Sequence, residues 1–140
     1  MKETIPDEQP ASARTVQRLR GLARALLHLH KALLDTERVA YEQVHGRVSS
    51  GELLQLVIKH EQFAWLHLVS ELIVRTDELL DADEPVSNDE AENLLAQARV
   101  LLKPSETGGE FERRYYAALQ RDPATVLTHR EVTLILSAAA

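Results

Sequence analysis

The chain has 140 residues, 22 of them acidic and 16 basic, with a formal net charge of −6 and no cysteine. The lack of cysteine excludes disulfides, thiolate metal sites and cysteine nucleophiles, and the negative charge disfavours general nucleic-acid binding, which depends on cations that neutralise phosphates. One hydrophobic core suffices for this length, and the abundance of Leu and Ala beside only five Gly and five Pro favours helices.

Residues 1–11 carry acids and contain no apolar run. They therefore lack the features of a secretory signal or a transit peptide, and we expect a short disordered lead-in. This start and the absence of cysteine are typical of a cytoplasmic protein. Residues 12–137 are predicted to form a single helical domain.

Two long antiparallel helices are predicted in the first half of the chain. The first runs from Arg14 to Val48, where apolar residues recur at helical spacing. Residues 49–51 form a connection short enough to force the second helix, Glu52 to Asp81, back along the first. The second helix is apolar around most of its circumference, so we expect it to lie at the centre of the fold with Leu68 in the core.

The most apolar stretch of the chain, residues 53–80, is too polar to span a membrane. Burying a charged or histidine side chain in a bilayer costs several kcal/mol. The stretch is interrupted by many such side chains, among them Lys59, His60, Glu61, His67, Glu71, Arg75 and Asp77. We therefore predict a protein without a membrane-spanning helix.

Three shorter helices are predicted in the second half. The acidic residues 81–85 break the helical pattern, and a capping box at residues 87–90 begins a helix that ends near Lys103. A fourth helix follows a pair of glycines, and an aspartate followed by proline predicts a fifth over residues 124–136. Residues 131–136 are rich in β-branched side chains and could instead be extended. The predicted fold is all-α, a four- to five-helix antiparallel bundle built on a long helical hairpin.

Several polar side chains fall on helical faces that should pack together. If the chain turns at residues 49–51, residues on the two long helices whose numbers add up to about one hundred lie side by side. This rule places Glu37 level with His60 and His30 level with His67. Carboxylate and imidazole groups are ligands for zinc, iron or manganese. The metal-site hypothesis takes Glu37, His60, His67 and Glu71 as ligands, with His30 and Glu61 in a supporting shell.

The alternative, which we favour, is that the same residues form a hydrogen-bonded structural seam. Such a seam would bond His30 to Ser70 or Glu71. It would also pair Glu37 with His60, and these contacts would fix the register of the two helices. A di-iron bundle needs two Glu-x-x-His motifs, whereas this chain has a single one.

Charge is unevenly distributed along the helices. Arg20, Arg24 and Lys31 lie on one face of the first helix, whereas residues 71–92 carry many acids and a single base. This separation can be an ordinary solvated surface, or it can steer association with a second copy of the chain or with another protein. Since no catalytic motif stands out, we expect a non-enzymatic interaction protein such as a homodimer. Nucleic acid is not an expected partner, because no aromatic residues alternate with the arginines.

The segments Phe63–His67 and Ser70–Ile73, with Phe111, Tyr115 and Arg121–Pro123 further along, resemble a family of small uncharacterised bacterial proteins that are all helical. The resemblance covers the chain from the second predicted helix to the last. It implies a single-domain helical fold in the bacterial cytosol and no particular activity.

Overall fold

The computed structural model describes residues 9–138, which form six α-helices and one 3₁₀ segment. This part of the chain contains no strand, so the all-α prediction is confirmed. It also contains no helix that is long and apolar enough to cross a membrane. Residues 131–136 are helical, which removes the extended alternative. The elements in order are α1 (Ala13–His45), α2 (Ser50–Lys59), the 3₁₀ segment (Glu61–Leu66), α3 (His67–Asp81), α4 (Asn88–Leu101), α5 (Glu110–Arg121) and α6 (Pro123–Ser137).

The central element is α1, which contacts α3, α4, α5, α6 and the 3₁₀ segment. Ser12 caps its first turn by accepting a hydrogen bond from Thr15 N at 3.1 Å. Leucines that repeat every three or four residues form a completely buried stripe along it: Leu19, Leu22, Leu26, Leu29 and Leu33. The prediction that the second long helix lies at the centre is therefore wrong.

The predicted helix over residues 52–81 is broken at His60, which the sequence pattern did not indicate. His60 has an extended backbone (φ −88°, ψ 136°), and its Nδ1 accepts a hydrogen bond from Gln62 N at 3.1 Å. This side-chain cap starts the 3₁₀ segment and competes with continuation of the helix. The ring also packs edge to face against Tyr41, with ring centroids 5.5 Å apart. Because of the break, α2 is a separate helix and α3 begins anew at His67.

Leu68 is not the core residue that the sequence predicted, because it is 41% exposed. The prediction assumed a helix buried on nearly all sides, whereas α3 buries a single face. The residues on that face are Val69, Leu72, Ile73 and Thr76. Leu68 therefore lies at the edge of α3 that is nearest to α4.

The antiparallel arrangement of α1 and α3 is confirmed at individual side chains. His30 Nε2 lies 3.0 Å from Ser70 Oγ. In the 3₁₀ segment that precedes α3, Gln62 Nε2 donates to the carbonyl oxygen of Glu37 at 3.5 Å. Both contacts fit the register expected for a hairpin that turns at residues 49–51.

The helix α6 packs antiparallel along α1. Arg18 donates to the carbonyl oxygens of Ile135 and Leu136 at 2.8 and 2.7 Å. Arg99 also donates to the carbonyl oxygen of Leu136, at 3.0 Å. Carbonyls in the last turn of a helix lack intrahelical partners, so two guanidinium groups satisfy the end of α6 and attach it to α1 and α4.

The expected disordered lead-in, residues 1–11, lies largely outside the described residues. Its last residues pair with the turn before α4, since Ala11 N donates to Val86 O and Asn88 N donates to Gln9 O, both at 2.8 Å. This pairing ties the beginning of the described chain to the start of α4.

Replacing Leu29 with alanine is expected to destabilise the protein by about 2–5 kcal/mol, because it opens a cavity in the buried stripe of α1. Leu27→Ala is the matched control: Leu27 is 53% exposed, so we expect a change below about 1 kcal/mol. Chemical denaturation followed by circular dichroism measures both. Equal losses for the two variants would contradict the assignment of the buried face of α1.

Candidate functional site

A groove runs along the surface between α3 and α4. It consists of two adjoining cavities of about 460 and 420 Å³ that share Arg75, Asn93 and Gln97. We call this feature the α3–α4 groove. Its other lining side chains recur at helical spacing on the two facing helices: Leu68, Leu72, Glu78, Leu79 and Ala82 on one side, and Glu90, Leu94, Ala96, Val100 and Leu101 on the other.

One end of the α3–α4 groove is apolar. Its floor is formed by Leu72, which is buried, whereas the buried Leu94 lines the other cavity. Leu68 and Val100 form the walls at this end, and 74% of Val100 is exposed to solvent. This end of the groove therefore combines exposed and buried aliphatic side chains.

The opposite end of the groove is acidic, with Glu78 and Glu90 both exposed. Between the two ends, Arg75 of α3 donates through Nη1 to Gln97 Oε1 of α4. This hydrogen bond joins the two walls of the groove. It also places one positive charge between the apolar end and the acidic end.

The groove exists because α3 and α4 each use another face to contact the core. The first turn of α4 is fixed by a capping box in which Ser87 N donates to Glu90 Oε1 and Glu90 N donates to Ser87 Oγ, both at 3.1 Å. Asn93, Gln97 and Val100 lie on the adjacent face and stay exposed. The face of α4 that is buried carries Ala91, Leu94, Leu95 and Ala98.

The helix α2 is also exposed to an unusual degree. It has ten residues and is rich in aliphatic side chains, yet none of its residues is buried. Leu54 and Ile58, one helical turn apart, are 57% and 55% exposed. Ser49 caps the helix and Glu52 completes the capping box, with hydrogen bonds of 2.9 and 3.2 Å. The helix therefore presents an apolar i, i+4 pair to solvent.

The connection before α2 is firmly held. Gly46 ends α1 with a φ of +87°, a left-handed conformation that glycine adopts without strain. Arg38 Nη2 donates to Val48 O at 2.8 Å, and Val48 N donates to Glu42 Oε2 at 2.9 Å. The hydrogen bond from Val48 N, assisted by the Arg38 guanidinium, lowers the pKa of Glu42 and keeps this carboxylate charged.

The residues predicted as metal ligands do not form one cluster. His60 Nδ1 accepts from Gln62 N, and His67 Nε2 donates to Val57 O at 2.9 Å. Among residues 9–138, no group of three or more His, Asp and Glu side chains is placed to hold a metal ion. The physical reason is that His60, His67 and Glu37 each bond a different group, respectively Gln62 N, Val57 O and the Arg121 guanidinium. Most of the predicted set is exposed: His60, Glu61, His67 and Glu71.

Glu37 is the buried member of the predicted ligand set, and its partner is Arg121 instead of the expected His60. Only 4% of Glu37 is exposed. Arg121 donates to the Glu37 carboxylate through Nη2 and to Thr36 Oγ1 through Nε, the latter at 2.9 Å. The other carboxylate oxygen, Oε2, is buried without a hydrogen-bond partner among the described residues. The ion pair connects the end of α5 to α1 and is a structural contact.

His30 is hydrogen bonded to Ser70, one of the two structural partners that the sequence predicted for it. Burial lowers the pKa of His30, and the nearby His67 lowers this pKa further. A neutral imidazole is therefore favoured at neutral pH. Ser70 lies inside α3 and lacks the strained turn that exposes a serine nucleophile, so the pair joins α1 to α3 without the geometry of a catalytic dyad.

A row of aromatic rings crosses the core from the 3₁₀ segment to α6. The ring centroids are 5.5 Å apart for Trp65 and Phe111, 5.7 Å for Phe111 and Tyr115, and 5.2 Å for Tyr115 and His129. Tyr115 Oη lies 2.5 Å from His129 Nδ1, and burial raises the pKa of Tyr115 and lowers that of His129. Sequence reasoning did not single out His129, although it shares a helical stripe with the buried Val132.

Arg20, Arg24 and Lys31 are exposed on one face of α1. Lys31 Nζ lies 2.9 Å from Asp35 Oδ2, one turn further along the same helix. A pair this exposed contributes little to stability. The role of the three cations in association stays a prediction.

Comparison of the chain with protein-family models, curated proteins and solved structures found no match. The resemblance to small bacterial helical proteins therefore stays a prediction. The α3–α4 groove and α2 are the features from which a function can be derived.

Replacing Arg121 with methionine is expected to lower the free energy of unfolding by about 3 kcal/mol, because it leaves Glu37 as an unpaired buried charge. The double variant Glu37→Gln/Arg121→Met removes that charge and should recover part of the loss. The control Arg114→Met breaks an exposed pair with Glu110 and should cost less than about 1 kcal/mol. Urea denaturation compares these variants with the single variant Glu37→Gln, and strictly additive losses would show that Glu37 and Arg121 do not interact.

Acidification is expected to destabilise the protein through His30. Because burial lowers the pKa of His30 below its ordinary value of 6.5, the unfolded chain takes up this proton at a higher pH than the folded chain. The stability that neutral His30 contributes is therefore fully present above the ordinary pKa and is lost progressively as the pH falls from that value to the lower pKa of the folded chain. His30→Gln should reduce the difference in unfolding free energy between about pH 7.5 and pH 5.5. The control His45→Gln replaces an exposed histidine, and an equal effect of both variants would refute the role of burial.

Proposed function

We propose that this chain is a protein-interaction module and that the α3–α4 groove receives an amphipathic helix of a partner. The observation that carries the proposal is the groove itself, in which the buried Leu72 lies with the exposed Leu68 and Val100 at one end and the buried Leu94 lines the adjoining cavity. Helix-in-groove recognition uses apolar anchors at i, i+3, i+4 and i+7. The lining residues of α3 and α4 recur with the same spacing and offer a matching series of contacts.

The length of the groove suits a helix better than a small molecule. From Leu68 to Ala82 the wall formed by α3 extends over about 20 Å, the length of a helix of about fourteen residues. Small-molecule sites enclose most of the ligand surface. A groove with a wall as exposed as Val100 leaves one side of its occupant in water, and a helix requires contacts along only one face.

Charges along the groove favour one direction of the bound helix. Glu78 and Glu90 lie at one end and Arg75 lies between them and the apolar end. A partner helix with a cation at one terminus binds with that terminus at the acidic end. The reverse orientation places its cation at the apolar end, away from the two carboxylates, and the loss of this attraction provides specificity.

Electrostatic steering is the second part of the proposal. Arg20, Arg24 and Lys31 form an exposed basic face on α1. Opposite charges on an approaching partner, including a second copy of the chain, speed encounter over a screening length of about 10 Å at 0.1 M salt. The exposed acids that suit this role in a second copy are Asp77, Glu78, Asp81, Asp83 and Glu84.

A phage-displayed library of amphipathic helical peptides is expected to yield binders with apolar residues at i, i+3, i+4 and i+7. Their affinity should fall at least about tenfold for Val100→Asp, which places a charge at the apolar end of the groove. Val126→Asp is the matched control, because Val126 is an exposed valine on α6 outside the groove. Calorimetric titration measures the affinities, and melting curves check that both variants fold. Peptides that bind both variants equally, or a library without binders, would overturn the proposed function.

A further inference from the structure

We infer that the helix received by the groove is α2 of a second copy of the chain, and that two copies exchange this contact reciprocally. The inference rests on the proposed function, because it names the partner of the same groove. In its own chain, α2 lines neither cavity of the α3–α4 groove. The groove is therefore open to a helix from another chain.

One side of α2 is not covered by the rest of its own chain. A helix of ten residues is too short to be stable in isolation, so it depends on packing against other groups. Leu53, Leu56 and Val57 pack partly against the core. Leu54 and Ile58 are left more than half exposed, and they form the apolar pair that a groove-binding helix needs.

The dimensions of α2 and the groove agree. A ten-residue helix is about 15 Å long, which fits within the length of about 20 Å between Leu68 and Ala82. Leu54 and Ile58 are separated by one turn, as are Leu68 and Leu72 along the groove. An α2 helix laid along the groove can therefore place its apolar pair over the apolar lining of α3.

The charges of α2 complement those of the groove. Glu52 lies in the first turn of α2 and Lys59 is its last residue. One orientation brings Lys59 to Glu78 and Glu90 at the acidic end, whereas the opposite orientation places Glu52 beside those two acids. The charges therefore select the first orientation.

Reciprocal exchange produces a closed dimer. Two copies related by a two-fold axis make the contact twice, since each supplies one α2 and one groove. Both surfaces of each copy are then covered, and neither is left to recruit a third copy.

Sedimentation velocity of the full chain should show a dimer that dissociates on dilution. The α2 variant Leu54→Glu/Ile58→Glu and the groove variant Ala96→Glu/Val100→Glu should each dimerise at least about tenfold more weakly, because each places charges in both contacts. Mixed in equal amounts, the two variants should dimerise again. In the mixed pair, the intact α2 of one variant meets the intact groove of the other, which restores one of the two contacts.

The matched control is Leu127→Glu, which places a charge on α6 at a leucine that is 69% exposed. This variant should dimerise as the unsubstituted chain does. All substituted side chains of the α2 and groove variants are also exposed, so melting curves are expected to show folded proteins.

Cysteine crosslinking tests the contact without adding charges. Because the chain has no cysteine, Leu54→Cys mixed with Ala96→Cys and oxidised with copper–phenanthroline should give a disulfide-linked heterodimer. Leu127→Cys mixed with Ala96→Cys should remain unlinked on a non-reducing gel.

The outcomes separate this inference from the proposed function. A chain that stays monomeric, a mixture of variants that does not dimerise, or crosslinking equal to the Leu127→Cys control would overturn the exchange of α2. If helical peptides still bind the groove in a manner that depends on Val100, the proposed function stands and the partner is a different protein. If neither peptides nor a second copy depend on the groove, both conclusions fail.

Discussion

The structure depends on covering the buried leucine stripe of α1. This helix has 33 residues and is about 50 Å long, whereas no other helix within residues 9–138 exceeds 15 residues. Several short helices must therefore share the length of α1, and each of them uses one face to do so. The faces that are not used remain at the surface. The α3–α4 groove results from this division of one long apolar stripe among shorter elements.

Three polar pairs inside the bundle join different helices. The ion pair between Glu37 and Arg121 joins α1 to α5, and the hydrogen bond between His30 and Ser70 joins α1 to α3. Tyr115 likewise bonds a histidine of α6. A buried polar group that loses its partner costs more than the pair contributes when it is intact, so a shifted helix is penalised. These pairs fix the register that the uniform leucine stripe alone leaves open.

Signals that act within one helical turn predicted the ends of most helices. The capping box at residues 87–90 and the aspartate–proline pair before α6 start helices where expected, and hairpin geometry predicted the contact between His30 and Ser70. The break at His60 depends on a side-chain cap that apolar periodicity does not reveal. The partner of Glu37 is 84 residues away, beyond any spacing rule. The groove was not predicted either, because the face of α4 that stays uncovered is decided by its docking on the core.

The contact between α1 and α6 joins the first and the last of the helices described within residues 9–138. In the finished protein Arg18 holds the carbonyl end of α6, and Ile135 lies against Gly21, 3.7 Å from the position a Cβ atom would take. A ribosome releases α1 well before α6, so this side of α1 faces water while α2 to α5 are synthesised. The apolar surface of α1 that α6 covers is therefore buried only at the end of synthesis. Closure of the bundle waits for α6 to emerge from the ribosome.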